Sequence, residues 1–167
     1  MLAVRFSVFQ EESPIIQEKE KNVPEAPAMS SLTLSNRLDE LERLSAWLEE
    51  QGAALSLPPP LIMDLNLVLE EWVVNVISYA FDDEKEHLID LRLGRSADKL
   101  IIEIEDGGKP FDPTSKADVD TSLPLEQRSI GGLGIHFIRS RMDDFTYRRE
   151  GNRNLVTLVK VIAPERS

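Results

Sequence analysis

The longest apolar stretch of the chain, Leu61–Phe81 (LIMDLNLVLEEWVVNVISYAF), runs for about six helical turns without glycine or proline. Most of its positions are apolar, which predicts a helix packed on most of its sides. Its polar residues fall on a narrow stripe. Glu71 and Asn75 stand at i and i+4 on one face, Asp64 lies two turns before Glu71, and Ser78, Tyr79 and Asp82 continue beyond Asn75. Such a stripe faces either water or a ligand, because buried polar groups without partners are costly. Pro58, Pro59 and Pro60 introduce the helix, and a first turn tolerates their missing donors.

Before it, Leu38, Leu41, Leu44, Trp47 and Leu48 recur at helical spacing, with Ser35 as the expected N-cap and Gly52 as the expected stop. Ser31–Leu34 is a short strand candidate. After it, Leu88–Leu93 and Lys99–Glu105 alternate apolar and charged residues, and the short Gly94–Asp98 link predicts that they pair antiparallel. Residues 114–129 lack periodicity and read as a long connection of the kind that often forms lids or binding loops. A helix opens at Gly131-Gly132-Leu133-Gly134 with Ile135, Ile138 and Met142 on one side. Two strands follow, Phe145–Arg149 and Leu155–Ile162, joined by a turn at Gly151-Asn152-Arg153. The order strand, two helices, two strands, loop, helix, two strands predicts an α+β sandwich with helices on one face of a mixed, mainly antiparallel sheet.

The first thirty residues differ in character. Val4–Phe9 alternates weakly and could form a strand, whereas Gln10–Met29 is rich in Glu, Lys, Pro and Ala, as linkers are. The expected division is therefore a tail or linker over 1–29, with Met29 as an alternative start, and one domain over 30–163. The chain has 167 residues, enough to bury a real core. Without cysteine it has no disulfide, thiol nucleophile or cysteine-bound metal. A net charge of −11 speaks against nucleic acid or an anionic membrane as partner. No stretch has the unbroken apolar length of a membrane span, and no signal-peptide pattern opens the sequence, so the expected location is cytoplasmic.

Three features carry candidate chemistry: Glu71 with Asn75, the Asp106-Gly107-Gly108 turn closing a strand, and Gly131-Gly132-Leu133-Gly134 opening a helix. Each alone is commonplace, since glycine turns are frequent and short motifs often mislead. A glycine-rich helix start nonetheless presents free N–H groups and a positive dipole end, which suit phosphate. It is neither a Walker loop, lacking Lys-Ser or Lys-Thr, nor a dinucleotide fingerprint, lacking a parallel βαβ unit.

Taken together and in this order, they resemble the anti-sigma-factor serine kinases of the GHKL ATPase superfamily. The N-box Glu and Asn four residues apart match Glu71 and Asn75. The first glycine box, Asp-x-Gly-x-Pro-Phe-Asp-Pro, matches Asp106–Pro113, and the second matches Gly131–Ile135 with Met142-Asp143 downstream. The resemblance spans about residues 30–162 and implies a Bergerat-type ATP-binding fold. It implies that Glu71 is the general base and that Asn75 ligands a Mg²⁺ bridging the phosphates of ATP. It further implies that Asp106 accepts a hydrogen bond from the adenine amino group while Gly108 lets the base approach. Gly132 and Gly134 would close over phosphate, and Thr157 would help seat the adenine. Relatives commonly carry His four residues after the Asn, where this chain has Tyr79; Arg128, Arg139, Arg141 or His136 are the candidates to serve the phosphates instead, with a surface or packing role the expected alternative for His136. Asp64, Ser78 and Asp82 read as solvated or capping residues, and Trp47 and Trp72 as core without a cofactor role. The implied function is a serine kinase and partner switch that phosphorylates a STAS-domain anti-anti-sigma antagonist, sequesters a sigma factor and forms a homodimer. The rival readings are a nucleotide-holding binding module with little turnover and a detached ATPase domain of a larger signalling protein.

Overall fold

The structure is a computed structural model that describes residues 28–113 and 133–162. The strand expected over 4–9, nearly all of the expected tail, the 114–129 connection with Arg128, and Gly131 and Gly132 lie outside the described residues. Among the described residues five strands form one sheet in the order β1-β2-β3-β5-β4, where β1 is Met29–Ser35, β2 Leu88–Ser96, β3 Lys99–Asp106, β4 Asp144–Glu150 and β5 Arg153–Val161. Every pairing is antiparallel. The β2–β3 connection is tighter than expected, a turn at Ala97-Asp98 with Ala97 in the left-handed region at φ 53°. The β4–β5 turn places Gly151 at φ 57°, a conformation that costs glycine nothing.

The alternation decides the layers. Ile89, Leu91, Leu93, Leu100, Ile102, Ile104, Val156 and Leu158 are buried on one sheet face. The other face carries a charged lattice in which Arg153 pairs with Glu105 at 2.6 Å and Asp90 at 3.0 Å. Among the described residues three α-helices cover the apolar face: α1 (Leu41–Ala54), α2 (Pro59–Tyr79) and α3 (Leu133–Arg141). As expected, α2 begins on its prolines, with Pro58 extended at the cap. Its buried residues Leu65, Val68, Leu69, Trp72, Val73 and Val76 form the stripe that meets the sheet and the other helices.

Two sequence expectations fail at α1. Ser35 is the last residue of β1, paired with Leu88, and its hydroxyl donates to Glu40 Oε1 at 3.2 Å. The helix is entered through a 3-10 turn over Leu38–Glu40, with no side-chain cap. Gly52 does not end the helix but lies buried within it, where a Cβ would come 2.5 Å from Ile62 Cδ1. The glycine permits α1 and α2 to approach. The stop falls four residues later at Ser56, left-handed at φ 53°, with Leu57 N–H donating to Gly52 O at 2.8 Å and Ser56 N–H to Ala53 O at 3.1 Å. That is a Schellman closure with serine where glycine is usual.

Candidate functional site

A cavity of about 350 Å³ opens between the second half of α2 and the end of β3. Trp72, Asn75, Val76 and Tyr79 contribute to its α2 wall, at the i, i+3, i+4, i+7 spacing of one helix face. Asp106, Asn154, Lys109, Pro110 and Phe111 supply the rest. The volume and the apolar walls with a few convergent polar groups are those of a small-molecule site.

The floor is built by register. Pairing of β3 with β5 sets Asp106 directly opposite Asn154, and both are almost wholly buried at 3% and 4% exposure. Asp106 Oδ1 accepts from Gly108 N–H and from Asn154 Nδ2, each at 2.8 Å. Among the described residues Asp106 Oδ2 has no hydrogen bond, so it is the oxygen available to a ligand. The turn after β3 docks on the end of α2. Lys109 N–H donates to Ala80 O at 2.8 Å, and a Cβ on Gly108 would sit 2.5 Å from Ala80 Cβ. Glycine at 108 is therefore required by this helix contact, a reason the motif alone does not contain.

Asn75 is oriented from behind. Its Nδ2 donates to Glu71 O at 2.6 Å and to Glu71 Oε1 at 2.9 Å. The backbone carbonyl only accepts, so the amide polarity is fixed, and Oδ1, which has no hydrogen bond among the described residues, is left for the cavity. α3 presses on the same carboxylate: a Cβ on Gly134 would overlap Glu71 Oε1 outright and lie 2.5 Å from its Cδ. The structure thus brings Glu71, Asn75 and Gly134 into one cluster and Asn75 and Asp106 into one cavity.

A hard cation prefers oxygen ligands, and Asn75 Oδ1 is one. Among the described residues no group of three or more His, Cys, Asp or Glu side chains could hold a metal alone. Magnesium commonly takes one or two protein ligands and completes its shell with phosphates and water, so a single amide oxygen fits it.

Thr157 is misplaced in the sequence reading. It lies opposite Glu103 and Thr146 on the charged face of the sheet, among Asp90, Arg92 and Glu105, away from the cavity. Asn154, three residues earlier and on the buried phase, occupies the cavity. The signal for it was a polar residue in phase with buried Val156 and Leu158, masked because the strand was expected to begin at Leu155. Trp72 is also more than core, since it walls the cavity, edge-on to Phe145 with ring centroids 5.8 Å apart. Its Nε1 is buried without a partner among the described residues. Tyr79 is 64% exposed at the lip. Asp64 is not merely solvated but pairs with Arg141 at 2.8 Å, joining α2 to α3, and Asp82 pairs with Lys109 at 2.6 Å. Arg139 donates to Pro113 O at 2.8 Å, which ties α3 to the end of the first glycine box. Among the described residues no helix is long and apolar enough to cross a membrane.

Comparison with known proteins agrees with this architecture. Residues 34–160 match the family model of the histidine kinase-like ATPase domain. The serine/threonine-protein kinase BtrW of Bordetella bronchiseptica is 29% identical over 119 residues, 71% of this chain and 84% of that protein. The serine-protein kinase RsbW of Listeria monocytogenes is 33% identical over 87 residues, 50% of this chain and 55% of its own length. RsbW of Bacillus subtilis is 30% identical over 87 residues, 50% of this chain and 54% of its own. The chain thus spans little more than half the length of these RsbW proteins. A crystal structure of the RsbU and RsbW domains of a Mycobacterium tuberculosis protein shares the fold, with a TM-score of 0.53 at 15% identity, covering 80% of this chain and 32% of that one. Because the family match runs from the end of β1 almost to the end of β5 and encloses Glu71, Asn75, Asp106 and Gly134, the chain belongs to the histidine kinase-like ATPase domain family.

Proposed function

We propose that the protein is an ATP-dependent serine kinase of a partner-switching system. It phosphorylates a serine on a STAS-domain anti-anti-sigma antagonist and sequesters a sigma factor, as a cytoplasmic homodimer. The observation that carries this reading is the pair of oxygens without a hydrogen bond among the described residues, Asn75 Oδ1 and Asp106 Oδ2, on one largely apolar cavity, with the Glu71 carboxylate held beside the Asn75 amide. Similarity to named serine-protein kinases supports it.

In this reading Asp106 Oδ2 accepts the amino group of adenine, and Pro110 and Phe111 help to enclose the base. Asn75 Oδ1 ligands Mg²⁺, which when bound neutralises phosphate charge. Gly134 leaves room for Glu71 at the start of α3. Glu71 takes the proton of the substrate serine as its oxygen bonds to the γ-phosphorus and the bond to ADP breaks. Positioning and charge neutralisation dominate such transfers.

The test is Glu71→Ala with ATP, Mg²⁺ and a STAS partner. Losing a general base should lower phosphorylation by about 10²–10⁴-fold. Mg²⁺-ADP binding should survive, because Asn75 Nδ2 keeps its bond to the backbone carbonyl of residue 71. Normal turnover in this variant would remove Glu71 from the chemistry. Wild-type protein that binds Mg²⁺-ADP but transfers no phosphate would favour the nucleotide-holding module.

A further inference from the structure

The amide of Asn154 connects the back of the cavity to Asp106. Its Nδ2 donates to Asp106 Oδ1 at 2.8 Å, Lys109 O at 3.0 Å and Gly108 O at 3.4 Å. Its Oδ1 accepts from Arg149 Nη1 at 2.6 Å and from the Tyr147 hydroxyl at 2.9 Å. Arg149 is the cross-strand partner of Asn154, and a second bond from Nη1 to Gly108 O at 3.0 Å seats its guanidinium. Neither Arg149 nor Tyr147 lines the cavity.

These partners dictate which way the amide points. A guanidinium only donates, so the atom facing Arg149 must be the oxygen. The Gly108 and Lys109 carbonyls only accept, so the atom facing them must be the nitrogen. The tyrosine hydroxyl can do either, and reinforces the orientation without deciding it. With Nδ2 turned to it, Asp106 Oδ1 is occupied by two donors and Oδ2 is presented as an acceptor. A reversed amide would set oxygen against oxygen and displace the carboxylate.

We propose that Arg149, acting with the Gly108 and Lys109 carbonyls and supported by Tyr147, sets the nucleobase specificity of the site by holding this polarity on Asn154. The proposal rests on the nucleotide reading above. A base with a 6-amino group donates to Asp106 Oδ2, whereas a 6-oxo base confronts it with a second acceptor. Arg149, Tyr147 and Asn154 are positioning residues, acting on the ligand through Asp106.

The experiment is calorimetric titration of the full chain with Mg²⁺-ADP and Mg²⁺-inosine diphosphate, which differ in the six-position group and the protonation of the adjacent ring nitrogen. Wild type should prefer ADP by about 10²-fold, the scale of a hydrogen bond to a charged acceptor. In Arg149→Glu the new carboxylate demands a donor, draws Nδ2 towards itself, and should lower that preference by about tenfold or more. Arg149→Met should lower it less, and Tyr147→Phe should keep it within about threefold, since the hydroxyl does not decide polarity. Changes in overall charge act on both diphosphates alike and cancel in the ratio. A ratio unchanged in folded Arg149→Glu overturns the proposal; if that variant does not fold, an unchanged ratio in Arg149→Met does so, even with both affinities reduced. Wild type that binds both equally overturns the proposal and leaves the nucleotide reading standing. Wild type that binds neither overturns both.

Discussion

Gly134→Ala is the most direct perturbation of the proposed catalytic group, because it leaves every polar residue in place. The added Cβ would lie 2.5 Å from Cδ and 2.8 Å from Cγ of Glu71. Carbon atoms in contact sit about 3.5–4.0 Å apart, so the carboxylate must withdraw by about 1 Å or more. Withdrawal breaks the 2.9 Å bond from Asn75 Nδ2 and moves the base away from the substrate hydroxyl. For stability the effects oppose each other. Alanine gains up to about 1 kcal/mol over glycine in a helix, and overpacking costs about 1–3 kcal/mol. The net destabilisation should be roughly 0–2 kcal/mol by the same estimates. Turnover has no such offset, and a displacement of this size costs about 10²-fold. Phosphotransfer to a STAS partner should therefore collapse while the melting midpoint moves by only a few degrees. Adding Glu71→Asp, one methylene shorter, should recover the stability loss without restoring turnover. Gly134→Ala with wild-type turnover and an unchanged midpoint would refute the close approach of α3 to Glu71.

Other outcomes follow from single contacts. Asn75→Ala should abolish the magnesium-dependent part of the thermal shift produced by ADP, which at a hundredfold excess over Kd corresponds to about 2.7 kcal/mol in a fully competent protein; calorimetric or dye-based melting reads it. Gly52→Ala should destabilise in the wild-type background, where its Cβ meets Ile62 Cδ1 at 2.5 Å, and should become stabilising by up to about 1 kcal/mol once Ile62 is also alanine. Denaturant titration of the four proteins checks this sign change. Asp143 accepts from Val161 N–H at 2.7 Å and lies 3.3 Å from Lys160 Nζ, and these contacts hold its carboxyl below the ordinary range. A carboxyl lowered by folding stabilises above its unfolded value, and that contribution is lost as pH falls through the folded one. Asp143→Asn should therefore melt earlier at neutral pH, with the gap closing as pH is taken below about 4.

The organising helix was legible because its information is local: an apolar run, a proline entry, and Glu71 and Asn75 one turn apart. The paired strands were legible for the same reason, their alternation being carried by adjacent residues. Asn154 was not, since its partner Asp106 is 48 residues away and meets it only through the β3–β5 register. The choice of Thr157 shows how sharp that dependence is, because a strand sends alternate residues to opposite faces and an odd offset puts a residue on the wrong side of the sheet. Gly52 and Ser35 fail differently. Each has the chemistry of a helix terminator or cap, but a neighbouring helix claims the first and a neighbouring strand the second.

The docking of the glycine turn on Ala80 makes α2 a measuring rod. Asn75 and Ala80 are five residues apart on one uninterrupted axis, a distance of about 7.5 Å at the helical rise, and the Lys109–Ala80 bond fastens the Asp106 turn to the far end. The gap between Asn75 Oδ1 and Asp106 Oδ2 is thus set by counting residues and owes little to which side chains fill the interval. Inserting or deleting one residue there would both change the length and rotate the remainder by about 100°, so the spacing should survive substitution at the exposed Ser78 and Tyr79 while admitting no change in number.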